Sequence, residues 1–183
     1  MPIRTLLQLG DPMLRQKSMP VTDPAAREIR LLAQDLGDTL AQWRETTGYG
    51  RGIAAPQVGV LQRVIFLKLP GVEPWPLVNP EIIERSAEKI VVWDACLSFL
   101  SIFMQVERHR DITMRYQNLE GKKAEFRATE KTGDLSELLQ HEIDHLSGAL
   151  YVDRMRSVSL CTLENFTRHW KGKSVAEVKR QLP

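Results

Sequence analysis

The sequence predicts an α+β fold whose β-structure pairs antiparallel. Two segments carry apolar residues at helical spacing, one towards each end of the chain. Between them lies a succession of short β-prone runs that do not alternate with helices in the regular manner of a parallel βαβ sheet.

Taken in order, Asp23 and Pro24 read as the N-cap and first-turn proline of a helix. Ile29, Leu32, Ala33, Leu36, Leu40 and Trp43 give that helix one apolar face, and Gly48 ends it. Residues 50–60, rich in Gly and Ala, read as a tight loop leading into a strand at Val64–Leu69. Further strands are expected around Leu77–Val78, Ile90–Trp93, Met104–Glu107, Ile112–Gln117 and Ala124–Ala128, with a hairpin turn at Asn118 to Gly121. A second helix runs from the N-cap Asp134 to Ser147, where Gly148 is placed to stop it. A third is expected from about Leu160 to Lys171.

A chain of 183 residues suits a single catalytic domain spanning 1–183. With 43% hydrophobic and 26% charged residues and no long uncharged apolar run, a membrane protein is not expected. A formal charge of +2 with dispersed Lys and Arg argues against a nucleic-acid-binding stripe. The start Met1-Pro2-Ile3-Arg4 opens no secretory signal, so the expected compartment is cytoplasmic and both cysteines, Cys96 and Cys161, are expected as thiols.

The strongest chemical signal is His141-Glu142-Ile143-Asp144-His145. On a helix the two histidines fall one turn apart on one face, so they can share a metal. Glu142 lies on the flank of that face, where its carboxylate can exchange a proton with an attacking water without being a ligand. Leu135, Leu138, Leu139, Ile143 and Leu146 make the helix apolar over much of its circumference. It should therefore be buried, and buried imidazoles and carboxylates demand partners.

A catalytic metal needs a third protein donor. A further histidine six residues on is excluded, because Tyr151 stands there. Glu164 has the spacing of the glutamate in thermolysin-like peptidases, and Cys96, within Asp94-Ala95-Cys96-Leu97-Ser98, is the other candidate. Spacing alone leaves both open.

Three segments read together, Gly50-Arg51-Gly52-Ile53-Ala54-Ala55-Pro56-Gln57, Cys96-Leu97-Ser98 and Gln140-His141-Glu142-Ile143-Asp144-His145-Leu146, resemble the motifs of the peptide deformylase family in type, order and approximate spacing. Asn79-Pro80-Glu81, Val106, Arg108, Gly148 and Asp153 extend the resemblance over nearly the whole chain. It implies antiparallel sheets surrounding a central helix that carries the H-E-x-x-H motif. It implies a metal held by Cys96, His141 and His145, with Fe2+ as the physiological ion and Zn2+, Ni2+ or Co2+ as substitutes. The implied reaction is removal of the formyl group from N-formylmethionyl nascent polypeptides, near the ribosome, in bacterial cytoplasm or in an organelle after transit-peptide removal. Glu142 would be the acid/base, with the Gln57 side-chain amide and the Leu97 N–H as oxyanion donors. Gly50 and Gly52 would let the chain pass close to the substrate.

The chain also departs from the family. Asp94-Ala95 replaces the usual Glu-Gly, so the pair of this acid with Arg108 is expected to be longer or water-bridged, and Ala95 adds a Cβ where Gly takes positive φ freely. Phe99-Leu100 replaces an Ile-Pro-like pair. Arg51 and Glu137 stand where similar proteins have apolar residues lining the pocket for the methionine side chain; they are expected to form an ion pair at the pocket mouth, above apolar walls from Ile53 and Leu138. Two other readings follow: a deformylase-like metalloprotein with an altered or lost substrate range, and a peptidase using Glu164.

Overall fold

The computed structural model describes residues 3–99, 101–173 and 177. The expectations for Met1, Pro2 and Leu100 lie outside the described residues. The chain folds into helix α1 (Arg27–Thr47), strands β1 (Gly52–Ala54), β2 (Val64–Leu67), β3 (Trp75–Arg85), β4 (Lys89–Ala95), β5 (Ile102–His109), β6 (Ile112–Gln117) and β7 (Lys123–Ala128), helix α2 (Leu135–His145), and a short strand β8 (Cys161–Thr162). One sheet has the order β1-β2-β3-β6-β7 and the other β4-β5-β8, and the paired strands run antiparallel.

Strand alternation decides what each face of the larger sheet covers. Val64 and Val78, opposite one another on β2 and β3, pack with Leu36 and Leu40 of α1. Their neighbours Ile65 and Leu77 turn to the other face and pack with Leu139, Ile143 and Leu146 of α2. Helix α2 is tied to the smaller sheet by polar bonds instead. The Gln140 amide accepts from the His109 N–H at 3.0 Å and donates to the His109 carbonyl at 2.8 Å, and Arg108 reaches Asp144 at 2.6 Å. The helix carrying the motif therefore lies between the two sheets, as the resemblance implied.

Helix α1 begins later than expected. Asp23 and Pro24 form a turn in which the Asp23 side chain accepts from the Ala25 N–H at 2.9 Å, and Ala26 is the cap. Its end is as expected, with Gly48 at φ 74. Asp134 precedes α2, yet its side chain makes no capping bond and pairs with Arg51 instead. The helix ends at His145 with Leu146 as its cap, two residues before the expected end, and Gly148, at φ +71, lies beyond it where the chain passes so close to Arg15 that a Cβ would collide with its carbonyl.

Two expectations are corrected. The segment read as a loop contains the edge strand β1, followed by a 3-10 turn at Ala55–Val58. Gly-Ile-Ala is too short and too weakly patterned to announce a strand; pairing with β2 makes it one. The expected third helix is not continuous: Cys161–Thr162 pairs with β5, and an α-turn (Leu163–Asn165) and a π-helix (Phe166–Trp170) take up the rest of the expected span. Aromatic packing overrides helical spacing there, with Phe166 stacked on Phe103 at 4.4 Å and Trp170 on Trp93 at 6.2 Å. Among the described residues, no helix is long and apolar enough to cross a membrane.

Candidate metal centre

Helix α2 sets His141 and His145 one turn apart on the face turned away from the larger sheet, and the chain leaving β4 brings Cys96 to them. The Cys96 Sγ lies 3.2 Å from the His145 Nε2, which lies 3.3 Å from the His141 Nε2. All three residues are buried, with donor atoms within 4.8 Å of one another. A tetrahedral centre with metal–nitrogen bonds of about 2.0–2.1 Å and a metal–sulfur bond of about 2.3 Å needs donors roughly 3.3–3.6 Å apart, and the separations of 3.2 and 3.3 Å are close to that spacing. The donor types fit as well, since one thiol and two imidazoles buried together are a set that a divalent transition ion takes.

Glu164 does not join this set. Its carboxylate is 75% exposed and pairs with Arg168 at 2.7 Å, so the peptidase spacing does not correspond to proximity.

Electrostatics sort the histidines. Burial opposes charge on both; at His145, burial and the neighbouring His141 push the pKa well down, which favours the neutral ring a metal requires. At His141 the Asp94 carboxylate outweighs burial and pushes the pKa well up. Asp94 meets the His141 Nδ1 at 3.0 Å and so orients its Nε2 towards the cluster. The same carboxylate accepts from Arg108 at 2.9 Å. The expectation of a longer or water-bridged Asp94–Arg108 pair is thus wrong, because Arg108, only 3% exposed, is held over the site by Asp144 as well. Ala95 is not among the residues of positive φ, so its Cβ introduces no strain. The Asp94–His141 contact was not legible in the sequence, where Asp94 was tied only to Arg108.

Glu142 is buried at 3% exposure, and its Oε2 has no partner among the described residues. Burial pushes its carboxyl up to about 7, with His141 opposing and Asp94 reinforcing the shift. A carboxyl of this kind holds and releases a proton near neutrality. Gly52 makes room for it: a Cβ there would stand 2.5 Å from the Glu142 Oε1.

Gln57, 1% exposed, accepts from the Ala54 N–H at 2.8 Å and turns its Nε2 towards the Cys96 Sγ at 3.4 Å and the Ser98 Oγ at 3.2 Å. Ser98 is a partner the sequence reading missed, although it stands in the Cys-Leu-Ser segment. Leu97 is buried beside the cluster.

A cavity of about 500 Å³ opens next to the donors. Cys96, Leu97, His141, Glu142, Gly50 and Gly52 line it, as does Leu138. Trp43, Trp93 and Phe103 give it an aromatic side that the sequence reading did not foresee. Ile53, expected as a wall, does not line it: strand alternation turns its side chain into the core under α1. Arg51 and Glu137 do line it, 3.2 Å apart, and Asp134 shares the guanidinium.

Residues 3–160 match the polypeptide deformylase family. The chain belongs to that family. It is 36% identical over 186 residues to the peptide deformylase of Bartonella tribocorum, covering 97% of this chain and 98% of that protein. It is 38% identical over 168 residues to the peptide deformylase of Thermomicrobium roseum, covering 87% and 89%. The crystal structure of peptide deformylase from Thermotoga maritima superposes with a TM-score of 0.76 at 34% identity, covering 85% of this chain and 99% of that one. A Cys-His-His site in a polypeptide deformylase is the setting of a metal cofactor.

Proposed function

We propose that Cys96, His141 and His145 hold one divalent metal and that Glu142 is the acid/base of a deformylation at this centre. Peptide deformylases remove the N-formyl group from newly made polypeptides, and this chain, as a member of the family, is such a hydrolase. The observation that carries the residue assignment is the convergence of three buried donors, His145 Nε2 standing 3.2 Å from the Cys96 Sγ and 3.3 Å from the His141 Nε2, beside the buried Glu142 carboxylate, one oxygen of which has no partner among the described residues.

When bound, the metal polarises the formyl carbonyl and makes the attacking water more acidic. Glu142 takes a proton from that water on its carboxylate and delivers it to the departing peptide nitrogen as the C–N bond breaks, releasing formate and a free amino terminus. The Gln57 Nε2 and the Leu97 N–H donate to the oxygen that gains charge; removing one such donor typically costs about 3–4 kcal/mol of transition-state stabilisation. Asp94 fixes the tautomer of His141. Strand β1 is at the edge of its sheet, so the backbone around Gly50 and Gly52 is available to an extended peptide. Leu138 supplies apolar wall, and Arg51 and Glu137 the charged part of the substrate surface.

One thiolate and two imidazoles accept several divalent ions. The proposed physiological ion is Fe2+, with Zn2+, Ni2+ or Co2+ able to replace it. The substrate, N-formylmethionyl nascent polypeptides, places the enzyme near the ribosome of a bacterial cytoplasm or of an organelle.

Anaerobically prepared, Fe2+-loaded protein should release formate from a formyl-Met-Ala-Ser peptide and leave unformylated Met-Ala-Ser uncleaved. Cleavage of internal peptide bonds with no formate release would overturn this reading.

A further inference from the structure

The Asp94–Arg108 pair belongs to a longer series of ion pairs that begins at the surface. Arg154, at the end of the 3-10 turn Tyr151–Arg154, donates from Nε to the Asp144 Oδ2 at 2.9 Å and from Nη2 to its Oδ1 at 3.0 Å. The same Oδ2 accepts from the Arg108 Nη1 at 2.6 Å, the Arg108 Nη2 donates to Asp94 at 2.9 Å, and Asp94 meets the His141 Nδ1 at 3.0 Å. Side-chain exposure falls from 50% at Arg154 to 17% at Asp144 and 2% at Arg108. The turn, α2, β5 and β4 are thereby joined in series, and the last member bonds a proposed metal ligand.

The planarity of the guanidinium makes this series stiff. Arg108 puts one terminal nitrogen on each carboxylate, and its Nε has no partner among the described residues. Because the group is a rigid plane, turning it further towards Asp144 carries the other nitrogen away from Asp94. Burial opposes the charge on Arg108, but Asp94 and Asp144 outweigh burial and keep it, so both contacts are charge-assisted.

Asp144 is held from the other side by Arg154. Two parallel bonds to one carboxylate fix its plane, which a single contact leaves free to rotate about the last torsion. Among the described residues, Arg108 and Arg154 are the cations that meet Asp144. Without Arg154 the carboxylate has Arg108 alone to balance its charge, so it pulls that guanidinium away from Asp94. Resting on the reading of Cys96, His141 and His145 as metal ligands, we propose that Arg154 is a positioning residue of the metal site, clamping Asp144 so that Arg108 holds Asp94 against His141. An ion pair with an exposed partner adds little to folding stability, so the effect of Arg154 is read at the metal.

The test loads the full chain with Zn2+ and measures its transfer to a chromophoric chelator. Arg154→Met keeps the stem and removes the guanidinium, and it should release Zn2+ about three- to tenfold faster than the parent, less than the roughly 10–100-fold typical of a partner that touches the ligand. Arg154→Lys keeps a cation at the same place and should release more slowly than Arg154→Met. Adding Arg154→Met to Asp94→Asn should speed release no further than Asp94→Asn alone, because the series is already cut beyond Arg108. Arg168→Met, which removes another half-exposed arginine paired with a carboxylate, should match the parent. The urea midpoint of metal-free Arg154→Met should stay near that of the metal-free parent. Release from Arg154→Met at the parent's rate, no slowing in Arg154→Lys, effects of Arg154→Met and Asp94→Asn that multiply, equal acceleration in Arg168→Met, or a large fall in the urea midpoint would each overturn the inference and leave the ligand assignment in place. A parent that releases Zn2+ as fast as Cys96→Ala would overturn that assignment, and the inference with it.

Discussion

The Asp94 carboxylate meets the Nδ1 of His141 at 3.0 Å while also accepting from Arg108 at 2.9 Å, so one aspartate ties an imidazole of the proposed metal site to a buried cation. Partners of this kind set the tautomer and direction of a ligating ring, and their loss commonly weakens metal affinity by roughly 10–100-fold. Asp94→Asn should release metal to a chelator about that much more readily, with an unchanged far-UV circular dichroism spectrum. Equal retention in the two proteins would show that the contact does not orient the ligand.

Cys96 and Glu164 separate the two readings of the third donor. Cys96→Ala should abolish tight metal binding, because it removes the Sγ that stands 3.2 Å from the His145 Nε2. Glu164→Ala should bind metal as the parent does, because that carboxylate is 75% exposed and engaged with Arg168. Metal content after dialysis reads both outcomes, and the reverse pattern would sink the assignment.

Glu142→Gln should retain metal and lose turnover by roughly 10²–10⁴-fold, since only the proton carrier is removed. Gly52→Ala approaches the same group from outside: its Cβ would stand 2.5 Å from the Glu142 Oε1 and 2.7 Å from the Leu67 Cδ2, so the acid must shift. We expect kcat to fall about tenfold or more while metal content is kept, given the sensitivity of catalysis to misplacement on the scale of an ångström. A fully active Gly52→Ala enzyme would show that the Glu142 position is not critical.

Burial pushes the Glu137 carboxyl up to about 7, against Arg51 and with help from Asp94 and Asp134. The folded state therefore holds a proton that the unfolded state has already lost above its ordinary value of 4.5. Unfolding then releases that proton, so stability falls as pH rises from about 4.5 to about 7 and is level above it. Glu137→Gln lacks this penalty, so it should match the parent near pH 4.5 and exceed it at pH 8, by up to about 3 kcal/mol. Denaturant unfolding at the two pH values checks this; an equal difference at both would refute it.

The sequence by itself determined what depends on local periodicity. Helical spacing placed His141, Glu142 and His145 together, because residues four apart on a helix share a face. It also located the Ile112–Gln117 strand and the turn at Asn118 to Gly121, where the Asn118 N–H reaches the Lys122 carbonyl at 3.0 Å. Tertiary structure decided what depends on pairing at a distance. Cys96 and His145 are 49 residues apart, and only the packing of the smaller sheet against α2 brings sulfur to nitrogen; residue types singled out Cys96 through a resemblance, whereas spacing favoured Glu164 equally. The edge strand β1 exists because β2 offers it hydrogen bonds, and the chain beyond Leu160 leaves its helical pattern because β5 and the rings of Trp93 and Phe103 hold it. Arg51 and Asp134 met in the same way, as a cap position gave up its usual bond to a cation from another strand end. Local periodicity is written in neighbouring side chains, but a contact between distant segments is won by whichever pairing buries the most surface and leaves the fewest polar atoms alone.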